Sequence, residues 1–177
     1  MGEGVPDPKR IFNTTAGLLE KYGPQRIMDM PLSENALTGM CIGSGLVGMR
    51  PVMIHQRTDF AYLAFDQIIN NAAKWNFMFN GQGQVPIVIR MMIGRGWGQG
   101  PTHSQSLQSW FAHIPGLKVV MPSTPRDAKG LLLSSIFAPP SAATRYVVFS
   151  HNWLSKLFGG GLPLHTIKAF LRSFPCF

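Results

Sequence analysis

Residues 117–137 read LKVVMPSTPRDAKGLLLSSIF, and this stretch decides the predicted fold. Its short apolar run, LKVVM, is typical of a strand that is covered on both faces. A helix start follows at once, with Thr124 placed as the N-cap, Pro125 as the first helical residue and Asp127 as the third. A buried strand that leads directly into a capped helix is the repeating unit of an α/β fold.

The same alternation continues towards the N-terminus. ENALTGMCIGSGLVG (34–48) predicts a helix that Gly48 ends, and RPVMIHQ (50–56) predicts a strand. VPIVIR (85–90) is a second buried strand. Between these strands, Asp59 is placed to cap one long helix. The apolar residues of that helix recur every three or four positions: Ala61, Ala64, Ile68, Ala72 and Trp75.

Two further elements complete the predicted fold. A short helix is expected at 107–113, and RYVVFSH (145–151) is expected to be the last strand. Strands that alternate with helices predict an α/β fold, with a parallel sheet and helices on both faces. A length of 177 residues suits one domain with a sizeable core.

Composition and charge argue against several classes of function. The net charge is +8, but no cluster of Lys and Arg is interleaved with aromatic residues, so we expect no nucleic-acid partner. No run approaches the roughly 18 apolar residues of a membrane span, so no membrane association is expected. The two cysteines, Cys41 and Cys176, have no metal-ligand spacing and form no disulfide framework, which favours a reducing compartment such as the cytoplasm.

One glycine pattern has the spacing of a dinucleotide-binding motif. Gly43, Gly45 and Gly48 fit G-x-G-x-x-G, which should follow a strand and open a helix. Here the glycines come late in a helical pattern and precede a strand. Close helix packing through Gly39 and Gly43, with Gly48 at the helix end, explains them better.

Two polar residues stand out as candidate site residues. Glu34 follows PLS at the start of a helix, where an acidic residue is also favourable simply because of the helix dipole. His103 lies in GRGWGQGPTHSQS (94–106), after the predicted strand 85–90. Loops after the carboxyl ends of strands carry the ligand sites of α/β sheets, and the alternating glycines let the backbone approach a ligand. A capping or surface histidine is the alternative. The five histidines show no zinc-binding spacing, and no G-x-S-x-G motif occurs.

Several long motifs together resemble a known family. GLVGMRPV (45–52), DQIINNAAK (66–74), VPIVIR and HSQSLQSWFAHIPGLKVVMPSTPRDAKGLL (103–132) stand in one register. They are similar to the β subunit of the thiamine diphosphate-dependent first component of 2-oxo-acid dehydrogenases, the group of the pyruvate, acetoin and branched-chain enzymes. The resemblance covers roughly residues 1–157 and implies a transketolase-like pyrimidine-binding domain.

The resemblance implies roles for three residues. Glu34, in PLSE, matches the family's glutamate that hydrogen-bonds the aminopyrimidine of the cofactor and so promotes loss of the thiazolium proton. Phe60, in TDF, matches the aromatic residue that packs on the pyrimidine ring. His103 matches the histidine linked to acyl transfer onto the lipoyl group, a role that suits an imidazole because it can accept and donate a proton.

The resemblance also implies a cofactor and partners. Thiamine diphosphate would be shared with an α subunit that holds the diphosphate and Mg²⁺, in a heterotetramer. A small 2-oxo acid would be the substrate, and a lipoyl-bearing acyltransferase would receive the acyl group. A bacterial, cytoplasmic protein is expected rather than a mitochondrial one, because no Arg/Ser-rich transit peptide is visible.

Three departures from the family pattern lead to further expectations. The domain is expected at 1–158 and an aberrant or truncated tail at 159–177, with the chain truncated at both ends relative to the family. FAPPSAATRY (137–146) lacks the carboxylate of a potassium site found in some members. Backbone carbonyls at Ile87, Ser135 and Ile136 would remain, but we expect no metal.

Two alternatives stay open at this point. The chain could be a non-catalytic interaction module, or an inactive fragment that keeps the fold. It could also be a transketolase or deoxyxylulose-phosphate synthase domain, but the G-D-G…N motif of those single-chain enzymes is not found here.

Overall fold

A parallel sheet lies at the centre of the protein. The computed structural model describes residues 1–7, 13–94 and 98–138, and the backbone of 145–151. Within these residues the sheet has four strands: β1 (Val52–His55), β2 (Val88–Ile93), β3 (Leu117–Val120) and β4 (Arg145–His151). Their spatial order is β1-β2-β4-β3, and every neighbouring pair is parallel. The predicted α/β fold is therefore confirmed, although β2 begins and ends three residues later than VPIVIR.

Helices connect the strands in chain order. α1 (Leu18–Tyr22) and α2 (Glu34–Leu46) precede β1. A 3₁₀ turn (Pro101–His103) and α5 (Gln108–Ala112) lie between β2 and β3, and α6 (Pro125–Phe137) lies between β3 and β4. Between β1 and β2 runs a series of short helical segments: α3 (Thr58–Ala61), a 3₁₀ turn (Tyr62–Ala64), a π-helix (Asp66–Ala72) and α4 (Trp75–Met78).

This series corrects the prediction of one long helix capped by Asp59. Ala61, Ala64, Ile68 and Ala72 are buried as expected, but the backbone changes its helical type along them. The amide of Ala73 donates to the carbonyl of Ile68, an i to i−5 bond of 2.9 Å that widens the helix locally. The N-cap position belongs to Arg57, and Asp59 lies inside the first turn.

Helices cover both faces of the sheet. On β2, whose residues are all buried, alternate side chains enter different clusters. Ile89, Met91 and Ile93 pack in a cluster with α2, the helical series and α5. On the opposite face, Met92 packs with Leu18 of α1 in a second cluster, and Val88 packs with Leu132 and Ile136 of α6 in a third.

The two ends of α6 are held by polar contacts. Thr124 Oγ1 accepts a hydrogen bond from the Asp127 amide (3.1 Å) and Asp127 Oδ2 accepts from the Thr124 amide (3.2 Å), so the predicted capping box is confirmed. Hydrogen bonds with Thr124 and Ser123 lower the pKa of Asp127 from its usual value. At the other end, Arg50 Nη1 donates to the carbonyls of Ile136 and Ala138, both at 2.7 Å. A cation is favourable at that end of a helix.

The glycines of α2 have structural roles that differ from one another. Gly48 has a φ of +93° just after the helix, as the prediction of a helix end requires. Gly39 faces the side-chain amide of Gln67, but Gly43 faces open space, so close packing through Gly43 was a wrong prediction. Gly45 takes the close position instead, beside Pro86. The motif precedes β1 rather than following a strand, which argues against a dinucleotide site.

No helix in the described residues is long and apolar enough to cross a membrane. The predicted tail at 159–177 lies outside the described residues. The division of the chain at residue 158 therefore stays a prediction.

Gly116, before β3, allows a comparison between two backbone positions of similar conformation. Its φ is +96°, and an added Cβ would overlap the carbonyl oxygen of Ala73. Gly48 has a similar φ of +93°, but no atom of the described residues lies within 4 Å of its added Cβ. Both Ala variants are strained by about 1 kcal/mol or more. We expect Gly116→Ala to lower the free energy of unfolding by several kcal/mol more than Gly48→Ala, in urea titrations of the purified protein. Equal losses would show that the contact with Ala73 has no energetic weight.

His55, the last residue of β1, predicts a pH dependence of stability. Its side chain is 2% exposed and Nε2 has no hydrogen-bond partner among the described residues. Burial lowers the pKa of His55 from 6.5 to about 4. Between these two values the unfolded chain takes up a proton that the folded protein does not. The folded state is therefore favoured above pH 6.5, and this advantage is lost as the pH falls towards 4, by roughly 3 kcal/mol.

His55→Phe removes the titrating group while keeping a ring of similar size. We expect the unfolding free energy of the wild type to fall more steeply between pH 6.5 and pH 4 than that of the variant. Parallel curves over this range would contradict the assignment to His55. The other titrating groups cancel in the comparison because both proteins contain them.

Candidate active site

The carboxyl ends of β1 and β2 lie side by side. His55 at the end of β1 is in register with Met91 of β2, and the strands run in the same direction. The residues that follow each strand therefore emerge at the same edge of the sheet. In parallel α/β sheets this edge is where ligands bind. Residues 56–60 follow β1, and the stretch that begins at Gly94 and contains His103 follows β2.

Two buried charged residues after β1 contact the segment around His103. Arg57 Nη1 donates to the carbonyl of His103 at 2.6 Å and, more weakly, to that of Gly94 at 3.4 Å. Asp59 Oδ1 accepts a hydrogen bond of 3.2 Å from the amide of Gln105. The side chains of Arg57 and Asp59 are 3% and 2% exposed, so these contacts are largely shielded from water. Burial lowers the pKa of Arg57, and the negative charge of Asp59 acts in the opposite direction.

Gln105 connects the segment to its surroundings in two other ways. Its carbonyl accepts from the Gly94 amide at 3.2 Å, which joins the start of the stretch to its end. Its side-chain Nε2 donates to Tyr62 Oη at 2.8 Å. The backbone on either side of His103 is consequently held by groups from both strand ends.

The imidazole of His103 lies against Phe60. Their ring centroids are 5.1 Å apart with an interplanar angle of 76°, an edge-to-face arrangement that aromatic rings prefer. His103 Nδ1 is 3.1 Å from Thr102 Oγ1, within hydrogen-bond distance. Both rings are half-buried. The structure thus brings together two of the three predicted site residues.

A separate group of aromatic side chains joins the helical series after β1 to α5. Phe65 contacts Trp110 at 5.8 Å and Phe111 at 5.3 Å between ring centroids, and Tyr62 contacts Trp110 at 6.0 Å. Phe111 is buried, whereas Trp110 is 52% exposed. The group therefore links the buried core to the exposed Trp110.

Glu34 is the first residue of α2. Its side chain is half-buried and accepts no hydrogen bond within the described part of the chain. It lies close enough to Glu3 to raise the pKa of that carboxyl, an effect that adds to the larger one of burial and to that of Asp29. α2 is anchored by Leu37 and Cys41, which pack in the same cluster as the helical series after β1. No described contact joins Glu34 to Phe60 or His103.

Sequence reasoning missed Arg57 as a site residue and gave Asp59 the wrong role. Asp59, which was predicted to cap a helix, instead accepts a hydrogen bond from the Gln105 amide, 46 residues away. A signal was present in QRTDF (56–60), which places two opposite charges directly after a buried strand. Charges are rarely buried without partners, so this pattern at a strand's carboxyl end indicates a site.

Metal ligands are not gathered in the described residues: no three His, Cys, Asp or Glu side chains there could hold an ion. Of the carbonyls considered for potassium, that of Ile136 accepts from Arg50. A guanidinium therefore already provides the positive charge at the end of α6. Residues 139–144, where the family's carboxylate would be expected, are outside the described ranges.

Comparison with protein families settles the class of domain. The model of the transketolase pyrimidine-binding domain matches residues 10–152. The chain belongs to this family. The match includes all three predicted site residues and both strands whose ends carry the site.

Curated relatives are similar over most of the chain. It is 43% identical over 164 residues to the pyruvate dehydrogenase E1 component subunit beta-2, mitochondrial, of Oryza sativa, covering 93% of this chain and 42% of that protein. The 2-oxoisovalerate dehydrogenase subunit beta of Bacillus subtilis is 42% identical over 163 residues, covering 92% and 49%. The acetoin:2,6-dichlorophenolindophenol oxidoreductase subunit beta of Cupriavidus necator is 49% identical over 126 residues, covering 71% and 37%.

These relatives confirm the resemblance that the motifs predicted, and they do not favour the interaction-module alternative. The chain spans less than half the length of each of these three proteins.

Proposed function

We propose that the protein is the β-type component of a thiamine diphosphate-dependent 2-oxo-acid dehydrogenase. It would bind the aminopyrimidine of the cofactor and act with an α subunit. The contact between Phe60 and His103 carries the proposal, because it joins two residues assigned to this chemistry at the ligand-binding edge of the sheet. The similarity to β subunits of three such enzymes over most of the chain supports it.

The residues present fit an aminopyrimidine. Such a ring needs a hydrogen-bond partner for its nitrogens and an apolar surface against its faces. Glu34 offers a half-buried carboxylate that accepts no hydrogen bond among the described residues, and Phe60 offers a half-buried aromatic ring. The chemistry that thiamine diphosphate supplies when bound is stabilisation of the carbanion left when a 2-oxo acid loses carbon dioxide.

Each of the three residues has a distinct task under this proposal. The Glu34 carboxyl holds a proton shared with the ring nitrogen, which is general acid–base work in a site shielded from water. Phe60 orients the ring by packing. His103, half-buried at the rim, donates or accepts a proton as the acyl group moves to its acceptor, a task for which imidazole is suited near neutral pH.

Exposed apolar side chains support an interface with a partner next to the site. Leu32, two residues before Glu34, is 85% exposed, and Leu63, three residues after Phe60, is 59% exposed. Trp110 lies at the exposed edge of the aromatic group. Contiguous exposed apolar side chains mark protein interaction surfaces, and under this proposal these residues contribute to such a surface. An α subunit that covers them would also exclude water from the shared site.

The remaining parts of the assembly are carried over from the family. The α subunit would hold the diphosphate and Mg²⁺ in a heterotetramer, and a lipoyl-bearing acyltransferase would take the acyl group from a small 2-oxo acid. A bacterial, cytoplasmic location stays a prediction, since the relatives include both mitochondrial and bacterial proteins.

Replacing Glu34 by Gln tests the cofactor assignment. In the protein co-expressed with its α subunit, we expect Glu34→Gln to reduce 2-oxo-acid decarboxylation by about a hundredfold or more, because general acid–base groups contribute on this scale. Co-purification of the two subunits should be unchanged. The measurement is substrate-dependent release of carbon dioxide in the presence of thiamine diphosphate and Mg²⁺.

Glu20→Gln is the matched control, since Glu20 is exposed on α1 and carries the same change of charge. Its complex should keep wild-type activity. Wild-type turnover by Glu34→Gln would refute the role of Glu34, and a complex that binds no thiamine diphosphate at all would favour the interaction-module alternative.

Replacing His103 by Ala separates the two half-reactions. We expect transfer to a lipoyl acceptor to fall by about a hundredfold, with a much smaller effect on decarboxylation measured with an artificial electron acceptor. His113→Ala is the control, because His113 is exposed after α5. Equal losses in both half-reactions would argue against a role specific to transfer.

A further inference from the structure

We infer that Arg57 and Asp59 are positioning residues that hold His103 in place for the reaction. The inference rests on the proposed function for its catalytic consequence, but the contacts themselves can be tested without any activity. Together the two side chains form what we call the Arg57–Asp59 clamp. Arg57 binds the backbone of His103, and Asp59 binds the backbone two residues further along.

The first half of the clamp joins two distant points of the stretch after β2. One atom, Arg57 Nη1, lies 2.6 Å from the His103 carbonyl and 3.4 Å from the Gly94 carbonyl. Gly94 directly follows β2, so its position is fixed by the sheet. The guanidinium therefore ties the backbone of His103 to a fixed point at the strand's end.

The second half of the clamp binds the backbone two residues after His103. Asp59 Oδ1 accepts from the Gln105 amide at 3.2 Å, while Oδ2 is buried and has no hydrogen-bond partner among the described residues. The His103 carbonyl and the Gln105 amide, which bracket Ser104 along the chain, are thus both held by residues 57–59. Phe60, next in the chain, contacts the imidazole itself, so backbone and ring are positioned from one short segment.

The burial of these charges argues for a positioning role. Removing a guanidinium and a carboxylate from water is costly for each group, and buried ion pairs are often no more stabilising than apolar residues of similar size. Arg57 and Asp59 are nonetheless almost completely buried, and they contact the backbone of a glycine-rich stretch. Hydrogen bonds with these two charged groups give the backbone a defined conformation. Glycine residues alone would not define it, because they permit many conformations.

A defined conformation matters because proton transfer depends on distance. A displacement of about 1 Å in a reacting group can cost about a hundredfold in rate. The clamp would therefore affect the step that His103 performs more than the binding of the 2-oxo acid. A selective effect on this step would distinguish a positioning role of the clamp from a contribution to stability alone.

Hydrogen exchange at the Gln105 amide tests the clamp directly. The variants are Asp59→Ala, which removes the acceptor, and Asp59→Asn, which keeps an oxygen but removes the charge. In the purified protein, followed by NMR, we expect exchange of this amide to accelerate by roughly tenfold to a hundredfold in Asp59→Ala and by less in Asp59→Asn. Amides of β2 should keep their protection. Asp66→Asn, an exposed change on the same helical series, is the control and should leave Gln105 unchanged.

The catalytic consequence is measured in the complex with the α subunit. We expect Arg57→Met to lower kcat for transfer to a lipoyl acceptor by about tenfold to a hundredfold, with KM for the 2-oxo acid unchanged. Arg57→Lys should recover part of the loss, because it retains a donor for the His103 carbonyl. If Arg57 had a purely structural role, the variants would instead contain less folded enzyme. The folded fraction of Arg57→Met and Arg57→Lys would then show the same kcat for transfer.

The outcomes separate this inference from the proposed function. Unchanged exchange at Gln105 in Asp59→Ala, or equal acceleration of every amide, would overturn the clamp whatever the activity. Local acceleration with full transfer activity in Arg57→Met would overturn its role in positioning His103. A wild-type complex without thiamine-dependent turnover would count against the proposed function, and local acceleration in that protein would leave the clamp standing as a structural device only.

Discussion

The parallel pairing of β1 with β2 is the constraint on which the rest of the site depends. Its register, from Val52 with Val88 to His55 with Met91, brings the ends of the two strands to one edge of the sheet. Side chains of β2 are buried on both faces, so a slip of one residue would exchange the side chains facing α2 with those facing α6. The hydrophobic core therefore fixes the register, and the register fixes where residues 56–60 and the His103 segment emerge.

The predicted site residues come from two separate parts of the chain. One part follows the strands and contains Phe60, His103 and the Arg57–Asp59 clamp, all joined by described contacts. The other part is Glu34, which arrives on a helix held by Leu37 and Cys41 against the same core cluster. The position of Glu34 thus depends on apolar packing, whereas that of His103 depends on buried hydrogen bonds. A change in the core would displace the first without directly breaking the second.

What could be predicted from sequence depended on the range of the interactions. The capping box of α6 involves residues three apart, so local chemistry was sufficient to predict it. The region of His103 could also be predicted, because a loop that follows a buried strand must emerge at its carboxyl end. Asp59 was given the wrong role because its local preference for an N-cap yields to a contact with an amide 46 residues away. Glu34 was ambiguous, since an acid at a helix N-terminus is common for electrostatic reasons alone.

The division between buried charges and exposed apolar groups agrees with a site shared between two chains. The His103 carbonyl and the Gln105 amide are bound within this chain, by Arg57 and Asp59. The apolar side chains near the site, such as Leu32 and Leu63, remain largely exposed instead. Charges are costly to leave unpaired in an interface, while apolar surface gains stability when a partner covers it. Under the proposed function, the chain would hold His103 in place before assembly, and a partner would mainly cover the apolar surface and exclude water.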